Sequence, residues 1–395
     1  MTVTLTLRPH QRKAVNAMWD NGKGQCILPT GAGKTLCMIE DCKTNIDLIK
    51  RGQTFVVVAP RLLLAEQLCK EFLEIIPTNN AHVLHVHSGE VEHYHTTDPK
   101  KIHLFNSVAR GSGEHCIIFT TYHSLHKIQQ ADIEVNTIYF DEAHNSVQRN
   151  FFPATEFFSH DADRAYFFTA TPKHSLTVFK PGMNDPEVYG QVICNVPAPH
   201  LVEEGYILPP KVVVKDLPKG DQRQSDCRNL IETIDDNNVG KILICARSTK
   251  QIVKLITQSD FTQQLHERDF SYMFITSKTG AVIDGNKVSR EEFFHTLNAW
   301  GQDSNKNFVV LHHSILSEGI NVKGLEAVLF MRNMDFVTIS QSIGRVIRLG
   351  GAEKTFGLVC VPVFDRVGVG TARSVQAVVD TVFNEGQPAI SVVRR

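Results

Sequence analysis

The chain has 395 residues, too many for one ordinary domain and comfortable for two. Hydrophobic residues make up 42% and charged residues 21%, which excludes a disordered or fibrous chain. The formal net charge of -1 excludes a global basic field, so any nucleic-acid binding has to use a local groove and backbone contacts.

In chain order, the N-terminal stretch from Met1 to Val15 is polar, with Arg8, His10, Arg12 and Lys13, and has no apolar core of signal-peptide length. No later stretch reaches the ~18 uninterrupted apolar residues of a membrane span. A soluble intracellular protein without a membrane partner is expected. The nine cysteines are scattered and form no C-x-x-C pair, which points to small buried hydrophobes rather than a disulfide framework or zinc cluster. Runs 25–28, 54–59, 116–120, 137–140 and 165–169 are short, apolar and bounded by turn residues. They read as parallel strands buried on both faces. Between them lie helical patterns; in 62–76, Leu64, Leu68, Phe72 and Ile75 share one face. This is βαβ alternation, hence a doubly wound α/β domain. His82, His85, His87, His93, His95, His103 and His115 crowd one region. Their irregular spacing, with Pro99, Gly111 and Gly113, reads as a surface insertion over 79–115 rather than a metal cage. Prolines 197, 199, 209 and 210 then break the rhythm. The expected division is a first domain over 1–208, a linker at 209–212, a second domain over 213–370 and an extension over 371–395 whose end is a loose tail. Runs 241–245, 272–276, 308–312, 327–331 and 356–362 repeat the strand pattern in the second half.

Two segments carry the chemistry. Pro29-Thr30-Gly31-Ala32-Gly33-Lys34-Thr35 follows the first strand and opens a helix. Glycines there let backbone N–H groups turn toward phosphates, and the helix N-terminus adds its dipole. Lys34 supplies a positive charge, and the Thr35 hydroxyl can ligate Mg²⁺. G-A-G-K-T departs from the strict G-x-x-x-x-G-K-T spacing, but the strand–loop–helix context is the one that motif requires. Asp141-Glu142-Ala143-His144 ends the strand run 137–140. Adjacent carboxylates at the end of a buried strand are costly unless they face something positive. Asp141 is the candidate Mg²⁺ ligand and Glu142 the candidate that polarises an attacking water, which is phosphoryl transfer from ATP to water.

With these motifs the sequence resembles superfamily 2 helicases. The resemblance runs in the family's order from Leu7 to Arg348. Leu7-Arg8-Pro9-His10-Gln11 resembles the element whose glutamine reads adenine, which implies Gln11. Ala59-Pro60-Arg61 and Thr120-Thr121-Tyr122 resemble motifs along the strand backbone. Thr169-Ala170-Thr171 resembles motif III, which couples to the histidine of motif II, here His144. In the second half, 244–248, 317–321 and 341–348 resemble motifs IV, V and VI. The resemblance implies two tandem RecA-like domains with an interdomain ATP cleft. It also implies nucleotide contacts from Thr30 to Thr35, Gly319 and Asn321, although many relatives carry Asp at the last position. Arg345 and Arg348, on one helix face, are implied arginine fingers, and Gln341 orients the water. Arg61, Thr120, Thr121, Arg247, Ser248 and Ser314 are implied contacts to nucleic acid, which position a strand without reading sequence. The branch resembled is that of type I and III restriction motors and phage branch-migration helicases, because of L-R-x-x-Q, S-E-G-I-N and G-Y-I-L-P. That favours DNA over RNA as the track. The expectation is an ATP- and Mg²⁺-dependent helicase or translocase, monomeric, with a separate nuclease or replication and repair factor as a compatible partner. The alternatives are a duplex translocase that does not separate strands and an ATP-gated RNA remodeller.

Overall fold

The computed structural model describes residues 6–49, 51–76, 81–89, 91–177, 179–217, 222–276, 279–313, 324–331, 334–349, 354–364 and 369–392. Packing divides the chain into one unit of residues 1–196 with 390–395 and a second of residues 197–389.

The first unit runs α1 (Pro9–Asp20), β1 (Lys23–Ile27), α2 (Lys34–Leu48), β2 (Thr54–Ala59), α3 (Leu62–Leu73), β3 (Ala81–Val86), α4 (Pro99–Gly111), β4 (His115–Thr121), α5 (Leu125–Gln130), β5 (Thr137–Phe140), α6 (Phe152–Asp161), β6 (Arg164–Thr169), β7 (Lys173–His174), α7 (Pro186–Tyr189) and β8 (Val192–Asn195). Seven strands form one sheet in the order β3-β4-β2-β5-β6-β1-β8. Every pairing in it is parallel. All carboxyl ends therefore lie along one edge, where ligands of such sheets bind. β2, β4 and β5 are buried at every residue, the property that made them legible as apolar runs. Phe140 stacks on Phe167 at 4.7 Å and Phe167 meets Tyr189 at 4.9 Å. Each such buried ring contributes about 2–3 kcal/mol of transfer free energy. At the opposite edge Asp41 is fully buried and binds Arg164 Nη2 at 2.7 Å and the Tyr139 hydroxyl at 2.6 Å.

The histidine-rich segment is not an insertion. It supplies the edge strand β3, in register with β4 from Ala81 opposite His115 to Val86 opposite Thr120, and the crossover helix α4. Pro99 sits in the first turn of α4, after Asp98, whose carboxylate accepts from the Lys100 N–H at 3.0 Å, so the proline starts a helix here. His85 and His87 are buried, which hid β3: polar side chains occupy inward positions.

The second unit runs α8 (Ala198–Glu203), β9 (Pro210–Leu217), α9 (Gln222–Asn237), β10 (Lys241–Cys245), α10 (Thr249–Thr257), α11 (Phe261–Glu267), β11 (Phe270–Thr276), β12 (Gly280–Ile283), β13 (Asn286–Val288), α12 (Arg290–Gln302), β14 (Asn307–His312), β15 (Ala327–Phe330), α13 (Phe336–Val346), β16 (Gly357–Phe364) and α14 (Val369–Val378). Its sheet has the order β13-β12-β11-β14-β10-β15-β16-β9. β11–β12 and β12–β13 pair antiparallel, and the remaining pairs are parallel.

The division after Val196 differs from the expected linker at 209–212. Leu208 N–H donates to the Ile347 carbonyl at 2.7 Å, the Gly357 N–H donates to the Pro209 carbonyl at 3.0 Å, and β9 then pairs with β16 along its whole length. Pro209 and Pro210 mark the start of an edge strand, where a missing N–H is tolerated, and Pro197 and Pro199 begin α8. The end of the chain differs from a loose tail. α14 packs on α13, and the last described strand, β17 (Ser391–Val392), pairs with β7 in the first unit. Among the described residues no helix is long and apolar enough to cross a membrane.

Candidate functional site

The phosphate-loop residues leave β1 at the carboxyl edge. Gly31 and Gly33 take φ of +89° and +84°, which L side chains resist. At Gly33 a Cβ would also lie 2.2 Å from Gln11 Nε2. No side chain caps the N-terminus of α2, so its first backbone N–H groups are presented to an anion at the loop. The loop is braced from α1. Gln11 Nε2 and His10 Nε2 both reach the Ala32 carbonyl at 2.9 Å, and Gln11 Oε1 accepts from the Arg8 N–H. Both ends of the Gln11 amide are thus spent on the loop and on its own helix start. His10 was not singled out from the sequence; its place beside Gln11 was the available signal.

β1 and β5 both flank or neighbour β6: β6 lies between them in the sheet. This order brings the loop, the Asp141-Glu142 pair and Thr169 together. Lys34 Nζ lies 3.0 Å from Glu142 Oε1, with both side chains largely buried. Glu142 has φ +46° and ψ +53°, a left-handed conformation that costs a non-glycine residue of order 1 kcal/mol. Asn145 Nδ2 holds that turn by donating to the Glu142 carbonyl at 3.0 Å. Tyr122, in the motif after β4, donates its hydroxyl to the Asp141 carbonyl at 2.9 Å. Burial, and next the charge of Glu142, push the Asp141 carboxyl well above the usual carboxylate range, while Lys34 opposes them. A buried pair of carboxylates facing one lysine has excess negative charge. With the Thr35 hydroxyl it offers hard oxygen donors, a donor set that fits Mg²⁺ bound jointly with phosphates. No group of three or more His, Cys, Asp or Glu among the described residues is placed to hold a metal by itself.

His144 connects this site to motif III. Its Nδ1 is 3.0 Å from Thr169 Oγ1, 3.2 Å from Thr171 Oγ1 and 3.6 Å from Glu142 Oε2. Asn145 Nδ2 faces Nε2 at 3.3 Å, which assigns the proton to Nδ1. Thr169 Oγ1 in turn accepts from the Thr171 N–H at 3.0 Å. Asn145 is a positioning residue the sequence reading missed.

Of the proposed strand contacts, Arg61 precedes α3 at the carboxyl edge and is half-buried. Thr121 is buried at the end of β4. Thr120 is fully buried and donates its hydroxyl to the Val86 carbonyl at 2.8 Å, so its side chain serves the β3–β4 edge instead of a ligand. In the second unit Arg247 is exposed, and Ser248 caps α10 by accepting from the Gln251 N–H at 3.1 Å. Gln341 and Arg345 lie one turn apart on α13 and are largely buried. Arg348 does not share that helix: α13 ends at Val346, Ile347 caps it, and the Arg348 carbonyl accepts from Lys354 Nζ at 2.9 Å. Arg345 and Arg348 would share a face only in a helix that ran past Val346. Ser314, Gly319 and Asn321 lie outside the described residues.

Residues 4–174 match the family model described as type III restriction enzyme, res subunit. No curated protein matches the chain. Among solved structures, the chain is similar to the ATP-dependent Type ISP restriction-modification enzyme LlaBIII bound to DNA, with a TM-score of 0.75 and 17% identity over 98% of this chain and 31% of that one. It is similar also to a nuclease-deletion mutant of the Type ISP enzyme LlaGI in complex with a DNA substrate mimic, with a TM-score of 0.68 and 19% identity over 98% and 30%. The chain spans about a third of the length of these two proteins. The family match is confined to residues 4–174, and the fold likeness extends over both units, which have the RecA-like α/β fold.

Proposed function

We propose that the chain is an ATP-driven nucleic-acid motor that acts on DNA without reading sequence. One observation carries the reading: an unbroken set of contacts from Lys34 through Glu142 and His144 to Thr169 and Thr171. A nucleotidase needs the first two of these residues; a device that reports the nucleotide elsewhere needs the rest. DNA is favoured because the two solved relatives are described as bound to DNA or to its mimic.

In this reading the loop from Thr30 to Thr35 seats the phosphates. Thr35 and Asp141 would hold Mg²⁺ beside the bound nucleotide, and the ion would supply neutralising positive charge there. Lys34 exchanges its carboxylate partner for phosphate oxygens, which leaves Glu142 to orient and polarise the attacking water. His144 registers that rearrangement through Nδ1 and passes it to motif III. Arg345 and Gln341 act on the transferring group and its water during turnover, with Arg348 in a supporting role. Arg61, Thr121, Arg247 and Ser248 hold the strand, with Ser314, and Gly319 and Asn321 serve the nucleotide. The relatives' names attach such motors to restriction enzymes, so a separate nuclease or methylase is a compatible partner.

ATPase activity measured beside single-stranded DNA, duplex DNA and RNA tests the reading. Stimulation by DNA of either form is expected. A rate indifferent to all three would remove the nucleic-acid track. Strand displacement on forked DNA, run beside triplex displacement on plain duplex, then separates unwinding from translocation along intact duplex.

A further inference from the structure

The loop that follows β7 in the first unit presents its apolar residues to solvent. Phe179 is 96% exposed and Leu176 81%. Single exposed apolar side chains are ordinary, but two at the tip of one braced loop are not. The neck of the loop is closed by several bonds. Met183 N–H donates to the Lys173 carbonyl at 2.7 Å. The Ser175 N–H donates to Asn184 Oδ1 at 2.7 Å, and Asn184 Nδ2 donates to the Ser175 carbonyl at 2.9 Å. Gly182 packs so tightly in the neck that a Cβ would lie 2.2 Å from the Ser175 nitrogen. β17 pairs along β7 as well. The base of the loop also reaches the phosphate-loop strand, because Gln25 Nε2 donates to the Met183 carbonyl at 2.9 Å. Its charge has one sign: 172–183 holds Lys173 and Lys180 and no carboxylate. It leaves the sheet just past Thr171, at the carboxyl edge that also carries Arg61 and the end of β4.

We propose that Phe179, supported by Leu176, is a stacking contact for an unpaired nucleic-acid base, at a loop tied both to motif III and to β1. An aromatic face on a rigid neck amid positive charge suits a flat base on a polyanion. Stacking needs no sequence, so the contact fits a motor that reads none. The proposal rests on the nucleic-acid reading above and adds a specific contact to it.

The test compares wild type, Phe179→Ala, Phe179→Trp and Leu176→Ala. Each is assayed for basal ATP turnover and for affinity to a single strand carrying 2-aminopurine, to a fork and to blunt duplex, and its mass is followed by sedimentation. Phe179→Ala should keep basal turnover and lose about 5- to 150-fold in affinity for single strand and fork, the range for one stacked base. It should also lose the quenching of 2-aminopurine, and Phe179→Trp should restore both. Leu176→Ala should show a smaller loss in the same direction. If wild type binds and responds to nucleic acid but Phe179→Ala matches it, this contact is wrong and the motor reading stands. A loss confined to duplex, a loss of basal turnover, or a change in mass alone would also overturn it; the last would assign the tip to a second copy of the chain. A wild type that binds no nucleic acid would overturn the motor reading and this contact together.

Discussion

Lys34 is the cation that faces Glu142 and that, in the proposed motor, the phosphates of ATP would claim. Replacing it with Ala removes the charge opposite Glu142 and the β- and γ-phosphates, so turnover should fall by about 10²-fold or more. Steady-state phosphate release measures this, and wild-type turnover in Lys34→Ala would remove the phosphate-loop assignment. His144 makes a different prediction because its two shortest Nδ1 contacts are to Thr169 and Thr171 rather than to the phosphate loop. His144→Ala should spare much of basal turnover and lose stimulation by DNA. Asn145→Ala should have a weaker effect of the same kind, since it frees the ring tautomer and the Glu142 turn without deleting the relay. Equal loss of basal and stimulated rates in both variants would make these residues part of hydrolysis rather than coupling. At this scale Lys34, Asp141, Glu142 and His144 were legible because their types and neighbours form motifs. Tyr122, His10 and Asn145 were not, because a hydrogen bond to a carbonyl leaves no pattern in a sequence.

α13 carries Arg345 into the second unit's candidate chemistry from a helix capped at Asp335, whose carboxylate accepts from the Thr338 N–H at 3.0 Å. An arginine that stabilises transition-state charge supplies rate rather than ground-state affinity. Arg345→Ala should therefore cost about 10³-fold or more in kcat at little change in ATP binding. Fluorescent-nucleotide titration beside single-turnover hydrolysis reads the two separately, and a parallel loss of binding would argue against the role. β3 is the element the sequence concealed, and it brings its own pH dependence. Burial, then the neighbouring His87, His93 and His95, holds His85 down at about 3, and burial likewise lowers His87. His85 remains neutral in the folded unit, whereas the unfolded chain protonates it below its ordinary value of about 6.5. Its contribution is thus fully present above pH 6.5 and is lost as pH falls below it, at up to about 1.4 kcal/mol per pH unit. The lowered His87 acts in the same direction. The urea midpoint of the first unit should drop between pH 7 and pH 5, and His85→Leu should flatten that dependence. An unchanged slope would remove His85 as the cause. Strands with apolar side chains on both faces were readable from composition alone. β3 was not, because histidines that pair with each other at 3.0 Å fill inward positions where an apolar residue is expected.

Over the whole molecule, the order of strands along the chain and their order across the sheet are different facts. The sequence by itself determined two runs of βαβ alternation, hence two parallel-sheet units, and it determined the residues at the phosphate loop and at the Asp141-Glu142 turn. Periodicity and turn chemistry are local, so local sequence suffices for them. It also excluded attraction by net charge, so any nucleic-acid affinity has to come from a few placed contacts. Only the tertiary structure decided that β6 lies between β1 and β5, and this placement is why His144 meets Thr169. It moved the division of the chain to Val196, because the Leu208 N–H and the Pro209 carbonyl are spent on partners far along the chain. It returned the last strand to β7, withdrew the Thr120 hydroxyl from any ligand, and ended α13 before Arg348. Each of these outcomes depends on which distant backbone group satisfies a buried donor or acceptor, and that accounting closes only in three dimensions.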